Sequence, residues 1–285
     1  MSKKGNTPTD EVCEGVAHLN IEDDKMRVQQ AIEDLRSLVS GEKNLKVKMD
    51  DKFMLRYLRA SDFNPKEAFN KMEKVYKFKV KYKDYYGTKS LTELKDNIEQ
   101  NIVLVSEEYN HDGRRVLIMK LGDIDTSKNN IKDLAQLMEF WSELLLDEEE
   151  SQKNGIHYII DMGGLPYHLL KFITPKAATV YALREEMRPW KQLDLHIVNT
   201  SKFFQILMKI VQPFLGAKFK QHIHIHGKDW PSLHKFINPE NLAQEHGGSK
   251  VEYDVKIMHK YLFENADKIE ELVSLGYINQ DNNAN

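Results

Sequence analysis

Residues 201–227 read SKFFQILMKIVQPFLGAKFKQHIHIHG, and this stretch gives the most information about the fold of the chain. Its first half predicts a helix that is apolar on almost every side, because its polar residues share one narrow stripe. Those residues are Lys202, Gln205, Lys209 and Gln212. Such a helix must be buried on both sides, cover an apolar space or contact a membrane.

The second half of the stretch predicts an alternating strand. One face would carry Lys218, Lys220, His222, His224 and His226, and the other Phe219, Ile223 and Ile225. Pro213 would end the preceding helix, and Gly216 would supply a hinge. An apolar helix beside cationic residues favours a protein that handles a lipid at a membrane surface.

The remaining chain predicts helices first and an α/β pattern afterwards. Residues 25–85 contain three amphipathic helices, with caps expected at Asp50 or Asp51 and at Asn64 before Pro65. Apolar runs near 102–105, 115–121, 155–162 and 193–198 predict strands, separated by helical segments. This alternation indicates a mixed, mostly parallel sheet with crossover helices. We expect a flexible tail over 1–20, a helical domain over 21–92 and an α/β domain over 93–285.

The bulk composition excludes several classes of protein. The net charge is −3, which gives no support for nucleic-acid binding. One cysteine, Cys13, permits no disulfide within the chain. No secretory signal and no apolar run of about 18 residues is present, so we expect a cytoplasmic protein that touches membranes only transiently.

Signatures of catalysis are few. Neither GxGxxG, GxxxxGK[ST], GxSxG nor CxxC occurs in a suitable context. Asp161 could be a catalytic acid at a strand end, but a capping aspartate in a tight turn is the favoured interpretation. The three histidines of the predicted strand could bind zinc, although packed imidazoles are favoured. We therefore expect that the protein is not an enzyme and that it binds neither a metal ion nor a cofactor.

Several segments, in order, resemble the CRAL-TRIO lipid-binding family. They are DDKFMLRYLRASDFNPKEA (50–68), NGIHYIIDMGG (154–164), ITP (173–175), LHIVN (195–199), QPFLGAKFKQHIHIHG (212–227) and EHGG (245–248). The nearest likeness is to the branch of the alpha-tocopherol transfer protein, cellular retinaldehyde-binding protein and clavesin. The resemblance implies a helical N-terminal domain and a lipid-binding domain. It also implies a closed apolar cavity and a mobile helix, the gate helix, at Ser201–Phe214.

Positions of this chain that match the cavity positions of the family are implied to be its ligand-binding residues. They are Met138, Ser142, Ile156, Tyr158, Ile160, Leu183, Met187, Trp190, Leu195, Ile197, Phe203, Phe204, Leu207, Ile210 and Val211. Ser142 and Tyr158 are the clearest polar candidates for orienting a hydroxyl or an aldehyde. The fitting cargoes are tocopherol, a retinoid, a carotenoid or a similar isoprenoid.

In this branch a basic cleft beside the gate helix binds phosphoinositide headgroups. Lys191 and Lys218 match that cleft, and His222 stands where the family often has arginine. Ser61 and Leu193 replace further basic residues, so headgroup binding should be weaker here and pH-dependent through His222.

The sequence thus predicts a non-enzymatic intracellular lipid carrier that exchanges its cargo at anionic, phosphoinositide-containing membranes. Two alternatives stay open: a phosphoinositide-binding adaptor without cargo, and a metal-assisted hydrolase using the three histidines.

Overall fold

The computed structural model describes residues 8–125, 127–164, 174–200 and 202–278 of the chain. Within these ranges, the side chains of residues 8–23 and of Pro175, Lys202, Phe203, Leu207 and Ile210 are not described.

Among the described residues, four α-helices precede the main sheet. They are α1 (Pro8–Gly41), α2 (Asp51–Arg59), α3 (Pro65–Lys81) and α4 (Lys95–Ile98). The predicted caps are confirmed: Asp50 accepts a hydrogen bond from the Phe53 amide at 3.0 Å, and Asn64 Oδ1 accepts from the Lys66 amide at 3.1 Å. Helix α1 begins at Pro8, inside the segment predicted as a tail.

A five-stranded sheet forms the centre of the second part. Its strands are β2 (Val103–Val105), β3 (Arg115–Lys120), β4 (Ile156–Asp161), β5 (Leu193–Val198) and β6 (Ile223–Gly227). They lie in the order β2-β3-β4-β5-β6. The β2–β3 pair is antiparallel and the other pairs are parallel, so the predicted mixed, mostly parallel sheet is confirmed.

Helices connect and cover these strands. They are α5 (Ile131–Leu146), α6 (Glu149–Asn154), α7 (Pro175–Met187), α8 (Lys202–Val211), α9 (Ala217–Lys220), α10 (Trp230–Leu233), α11 (Val255–Glu264) and α12 (Ala266–Ser274). Thr174 caps α7 by accepting from the Ala177 amide at 3.1 Å, as the Thr-Pro pair predicts.

The predicted strand from Lys218 to His226 is wrong in its first half, because residues 217–220 form α9 and β6 begins only at Ile223. Phe219 within this helix and Leu215 in the extended backbone before it are both buried. Only His224 and His226 of the expected cationic face lie within β6.

The C-terminus packs back on the N-terminal helices. Strand β7 (Gly276–Tyr277) pairs antiparallel with β1 (Leu45–Lys46). Leu272 and Leu275 belong to the same buried cluster as residues of α1, α2 and α3. Helix α12 and the residues before β7 therefore share one core with α1, α2 and α3.

Candidate functional site

An apolar cavity of about 210 Å³ lies between one face of the sheet and the helices that cover it. Strand alternation builds the sheet side: Tyr158 and Ile160 on β4 project to the same face, and Tyr158 is in register with Leu195 on β5, which pairs with Ile223 on β6. Ile197 extends the wall along β5.

Helix α8 closes one side of the cavity. Together with the turn Gln212–Phe214 that follows it, α8 makes up the described part of the gate helix. Phe204, Met208 and Val211 line it at a spacing of four and three residues. Their neighbours Gln205 and Lys209 are exposed, as the predicted polar stripe requires. No described helix is both long and apolar enough to cross a bilayer.

The end of the gate helix is held by a carboxylate. Both oxygens of Glu186, on α7, accept from the Gly216 amide at 3.2 Å. A Cβ at residue 216 would overlap the Glu186 carboxylate, so glycine is required for this close approach, since its φ of −62° is ordinary.

Seven of the fifteen predicted ligand-binding residues lie in the cavity wall: Met138, Tyr158, Ile160, Leu195, Ile197, Phe204 and Val211. Five others lie outside its described lining: Ser142, Ile156, Leu183, Met187 and Trp190. The side chains of Phe203, Leu207 and Ile210 lie outside the described residues. Ligand contact by any of them remains a prediction.

Further wall residues were not anticipated from the sequence. They include Met119, Leu121, Ile131, Leu134, Ala135, Met162, Ala178, Tyr181, Ala182, Leu193, Met208, Leu215, Phe219 and Ile223. On α7, Ala178, Tyr181, Ala182 and Glu185 follow the i, i+3, i+4, i+7 pattern of a single helix face. That periodicity could have identified this side of the wall.

The side chains of Arg184 and Glu185 also line the cavity. Behind them lies a buried network in which Arg188 bonds Glu139 at 2.6 Å and Glu185 at 3.1 Å. Burial opposes ionisation of Glu139, but the charges of Arg188 and Arg184 outweigh it and lower its pKa to about 2.

The network continues into the N-terminal helices. Arg56 on α2, 1% exposed, pairs with Glu143 on α5 at 2.6 Å. Glu143 also lies 3.7 Å from Arg188. A chain of charges therefore links the cavity wall to the N-terminal helical unit.

The predicted headgroup residues lie apart from this network. Lys191 donates a hydrogen bond to the exposed Asp62. That hydrogen bond and the positive charges of Lys191 and Lys218 lower the pKa of Asp62, although slight desolvation opposes them. His222 Nδ1 instead lies 2.8 Å from Asp194, which also pairs with Arg114. Phosphoinositide binding by Lys191, Lys218 and His222 remains a prediction.

The sheet face opposite the cavity carries a histidine row, which comprises His157, His196 and His226. His157 Nδ1 lies 3.0 Å from His196 Nε2, and His196 Nδ1 lies 3.0 Å from His226 Nε2. Asp112 ends the row at His157 Nε2, and Ser232 ends it at His226 Nδ1, both at 2.9 Å.

One arrangement of protons satisfies the whole row with neutral rings. If every ring carries its proton on Nε2, His157 donates to Asp112, His196 to His157 and His226 to His196, and Ser232 donates to His226. Burial, followed by the neighbouring imidazoles, lowers the pKa of His196 to about 2. No group of three or more His, Cys, Asp or Glu side chains in the described part could hold a metal ion.

Asp161 caps the turn after β4, as the favoured interpretation predicts. Its Oδ1 accepts from the Gly163 amide at 2.7 Å and from Asn199 at 2.8 Å, and its Oδ2 lies 2.9 Å from His246. Burial opposes ionisation, but the hydrogen bonds outweigh it and lower the pKa of Asp161. The carboxylate thus fixes loop geometry next to the EHGG segment.

Comparisons with known proteins fit this architecture. A family model described as the CRAL/TRIO domain matches residues 99–248, and one described as the CRAL/TRIO N-terminal domain matches 26–74. The exact boundary expected at residues 92 and 93 remains a prediction.

Similar sequences include Clavesin-1 of Xenopus laevis, 27% identical over 83% of this chain and 73% of its own length. Clavesin-2 of Homo sapiens is 26% identical over 84% of this chain and 74% of its own length. Among solved structures, the crystal structure of Sfh5 has a TM-score of 0.54 and 13% identity, covering 86% of this chain and 98% of that chain. This last likeness concerns the fold alone.

Proposed function

Because the chain belongs to the CRAL/TRIO family, whose members bind and transfer lipids, we propose that it is a non-enzymatic carrier of one small hydrophobic molecule. The observation that supports this most is the apolar cavity closed by α8. Its wall is almost entirely aliphatic or aromatic, which suits a tocopherol, a retinoid, a carotenoid or a similar isoprenoid.

The hydrophobic effect retains such a cargo in water. Burying ~400 Å² of lipid surface at ~25 cal/mol/Å² gives roughly 10 kcal/mol relative to water. Extraction from a bilayer gains little from this term, because lipid tails are as apolar as the cavity wall. The direction of transfer then depends on shape, on polar contacts and on the position of the gate helix.

Cargo entry requires part of the wall to move. The cavity volume of about 210 Å³ is below the roughly 300–1,000 Å³ of pockets for drug-sized ligands. Helix α8 is the natural element to move, because its outer side already faces solvent, with Ile206 57% exposed. Lys191 and Lys218 would orient this side towards an anionic membrane, at about 1 kcal/mol for each lysine near the surface.

The test begins with an organic extract of the purified protein, in which mass spectrometry should find a bound hydrophobe. That molecule should then move between donor and acceptor vesicles when the protein is added. An empty protein that transfers none of the tocopherol, retinoid or carotenoid probes would refute the carrier function.

A variant tests the role of α8. Phe204 is buried in the cavity wall, so Phe204→Asp should abolish ligand uptake, because a carboxylate there is desolvated without a partner. Gln205→Asp places the same charge on the exposed side of the same helix and should leave uptake intact. Circular dichroism of both variants checks the fold, and equal uptake by the two would argue against the cavity assignment.

Membrane recognition is tested separately. Lys191→Ala and Lys218→Ala should weaken binding to phosphoinositide vesicles more than to neutral vesicles. Tight phosphoinositide binding by a protein that takes up no hydrophobe would favour the cargo-free adaptor instead.

A further inference from the structure

The polar groups of the cavity wall constrain the chemistry of the cargo, given the carrier function proposed above. Most polar groups of the wall are already used by the fold. Asn130 caps α5 by accepting from the amides of Lys132 and Asp133 at 2.9 and 3.0 Å. Asn129 accepts from Asn97 at 2.6 Å and donates to Gln100 at 2.5 Å.

Two phenols of the wall are different: the Tyr181 hydroxyl has no hydrogen-bond partner among the described residues, and the Tyr158 hydroxyl has only weak ones. Tyr158 is only 5% exposed, and the described contacts of its hydroxyl are the sulfurs of Met119 and Met138, at 3.6 and 3.8 Å. A thioether is a weak acceptor, so this buried donor lacks a full hydrogen bond. An oxygen of the cargo in the cavity would supply one.

Glu185 offers the complementary acceptor. Its carboxylate takes contacts from Arg188 at 3.1 Å and from Arg184 at 3.3 Å, which leaves capacity among its roughly four lone-pair sites. Burial raises the pKa of Tyr158, and the negative charge of Glu185 raises it further. The two groups thus influence each other across the same cavity.

The balance of charge behind them excludes an anionic head. Arg56, Arg184 and Arg188 face Glu139, Glu143 and Glu185, and Arg56 also lies 3.9 Å from Asp147, so the arginines do not outnumber the carboxylates. A carboxylate or phosphate in the cavity would add an unpaired buried charge next to Glu185.

We propose that the cargo is a neutral lipid alcohol or phenol, whose single hydroxyl accepts a hydrogen bond from Tyr158 and donates one to Glu185. An aldehyde or ester could accept from Tyr158 but would set its oxygen against the Glu185 carboxylate with no proton between them. An acid would be repelled. Glu185 is therefore the residue that selects for the hydroxyl.

Retinol, retinal and retinoic acid share one polyene and differ only at the head, so they are suitable probes. Their dissociation constants can be measured by fluorescence quenching of the intact protein. We expect retinol to bind roughly ten- to hundredfold more tightly than retinal, the worth of a hydrogen bond to a charged group, and retinoic acid to bind most weakly.

Two variants separate the two roles. Tyr158→Phe should weaken retinol and retinal together, by about three- to tenfold, and keep their ratio. Glu185→Gln should instead reduce the ratio, because the amide can also donate to an aldehyde. Tyr109→Phe, which removes a phenol outside the cavity lining, is the control and should change neither constant. If Glu185→Gln fails to fold, the order of the three retinoid dissociation constants in the wild-type protein and the Tyr158→Phe variant still test the proposal.

The outcomes distinguish this inference from the carrier function. Retinal binding as tightly as retinol, or an unchanged retinol affinity in Tyr158→Phe, would overturn it while leaving a carrier. If no retinoid binds, the hydrophobe extracted from the protein decides: a free hydroxyl supports the inference, and a cargo without one overturns it. Failure to bind any hydrophobe would refute the carrier function itself.

Discussion

Acid should destabilise this protein well above the pH at which its carboxylates protonate, because the histidine row is buried in neutral form. His196 is fully buried and has a pKa of about 2, against 6.5 for an ordinary histidine. The unfolded chain therefore binds a proton at His196 as the pH falls through 6.5, and the folded chain does not. Stability present above pH 6.5 is lost below it.

The magnitude follows from these two pKa values. Between pH 7 and pH 5, the unfolded state gains about 2 kcal/mol from protonation of His196 alone. The rings around it are His157 on β4 and His224 and His226 on β6, with Asp194 as the nearby anion. Burial also lowers the pKa of His157, and lowers that of His226 to about 4, so both act in the same direction. The pKa values of Asp112, Asp161 and Asp194 lie below 3.8, outside this window.

Urea unfolding at pH 7 and pH 5 measures the effect. His196→Gln keeps a donor and an acceptor but cannot titrate, so its loss of unfolding free energy between the two values should be smaller by about 2 kcal/mol. His259→Gln, on α11, controls for the loss of one histidine and should keep the wild-type loss. A wild-type stability that stays flat from pH 7 to 5, or a His196→Gln variant with an unreduced loss, would refute a neutral buried row.

Two further predictions concern other contacts. Arg56→Met should lower the unfolding free energy by about 3 kcal/mol in urea titrations, because it removes the nearer of the two arginines beside the Glu143 carboxylate and leaves Arg188 at 3.7 Å. Arg56→Met/Glu143→Leu should recover most of this loss, and an additive double variant would contradict the pairing. Gly216→Ala should displace Glu186 and free the end of the gate helix, so cargo exchange between vesicles should become faster. Gly41→Ala adds a methyl group in open space and should leave the exchange rate unchanged. Equal exchange rates for these two variants would count against the Glu186 contact as a restraint.

Local sequence chemistry predicted much of the fold correctly. The caps at Asp50, Asn64 and Thr174 depend on side chains two or three residues from the amides they bind, so short segments suffice to identify them. The strand at 193–198 was also predicted correctly from its apolar residues. The break between α11 and α12 is less apparent from sequence; it lies at Asn265, whose side chain donates to the Tyr261 carbonyl at 2.8 Å.

Cavity residues were predicted less completely, for a physical reason. Tyr158, Ile160, Leu195 and Ile197 alternate along their strands, and that pattern marks the shared face. Whether Ser142 or Trp190 reaches the same space depends on how α5 and the end of α7 pack. Hydrophobic periodicity along the sequence does not give the distance of a side chain from the cavity. Ser142 is completely buried yet lies outside the cavity lining.

By itself the sequence determined the order of helices and strands, the apolar character of residues 202–211 and the lipid-binding family that these segments resemble. The tertiary structure decided which charges meet. Arg56, Glu143 and Arg188 are far apart in the chain, and so are His157, His196 and His226, yet each set forms one buried network. Side-chain chemistry at a buried site depends on neighbours brought together by strand register and helix packing, which no local pattern encodes.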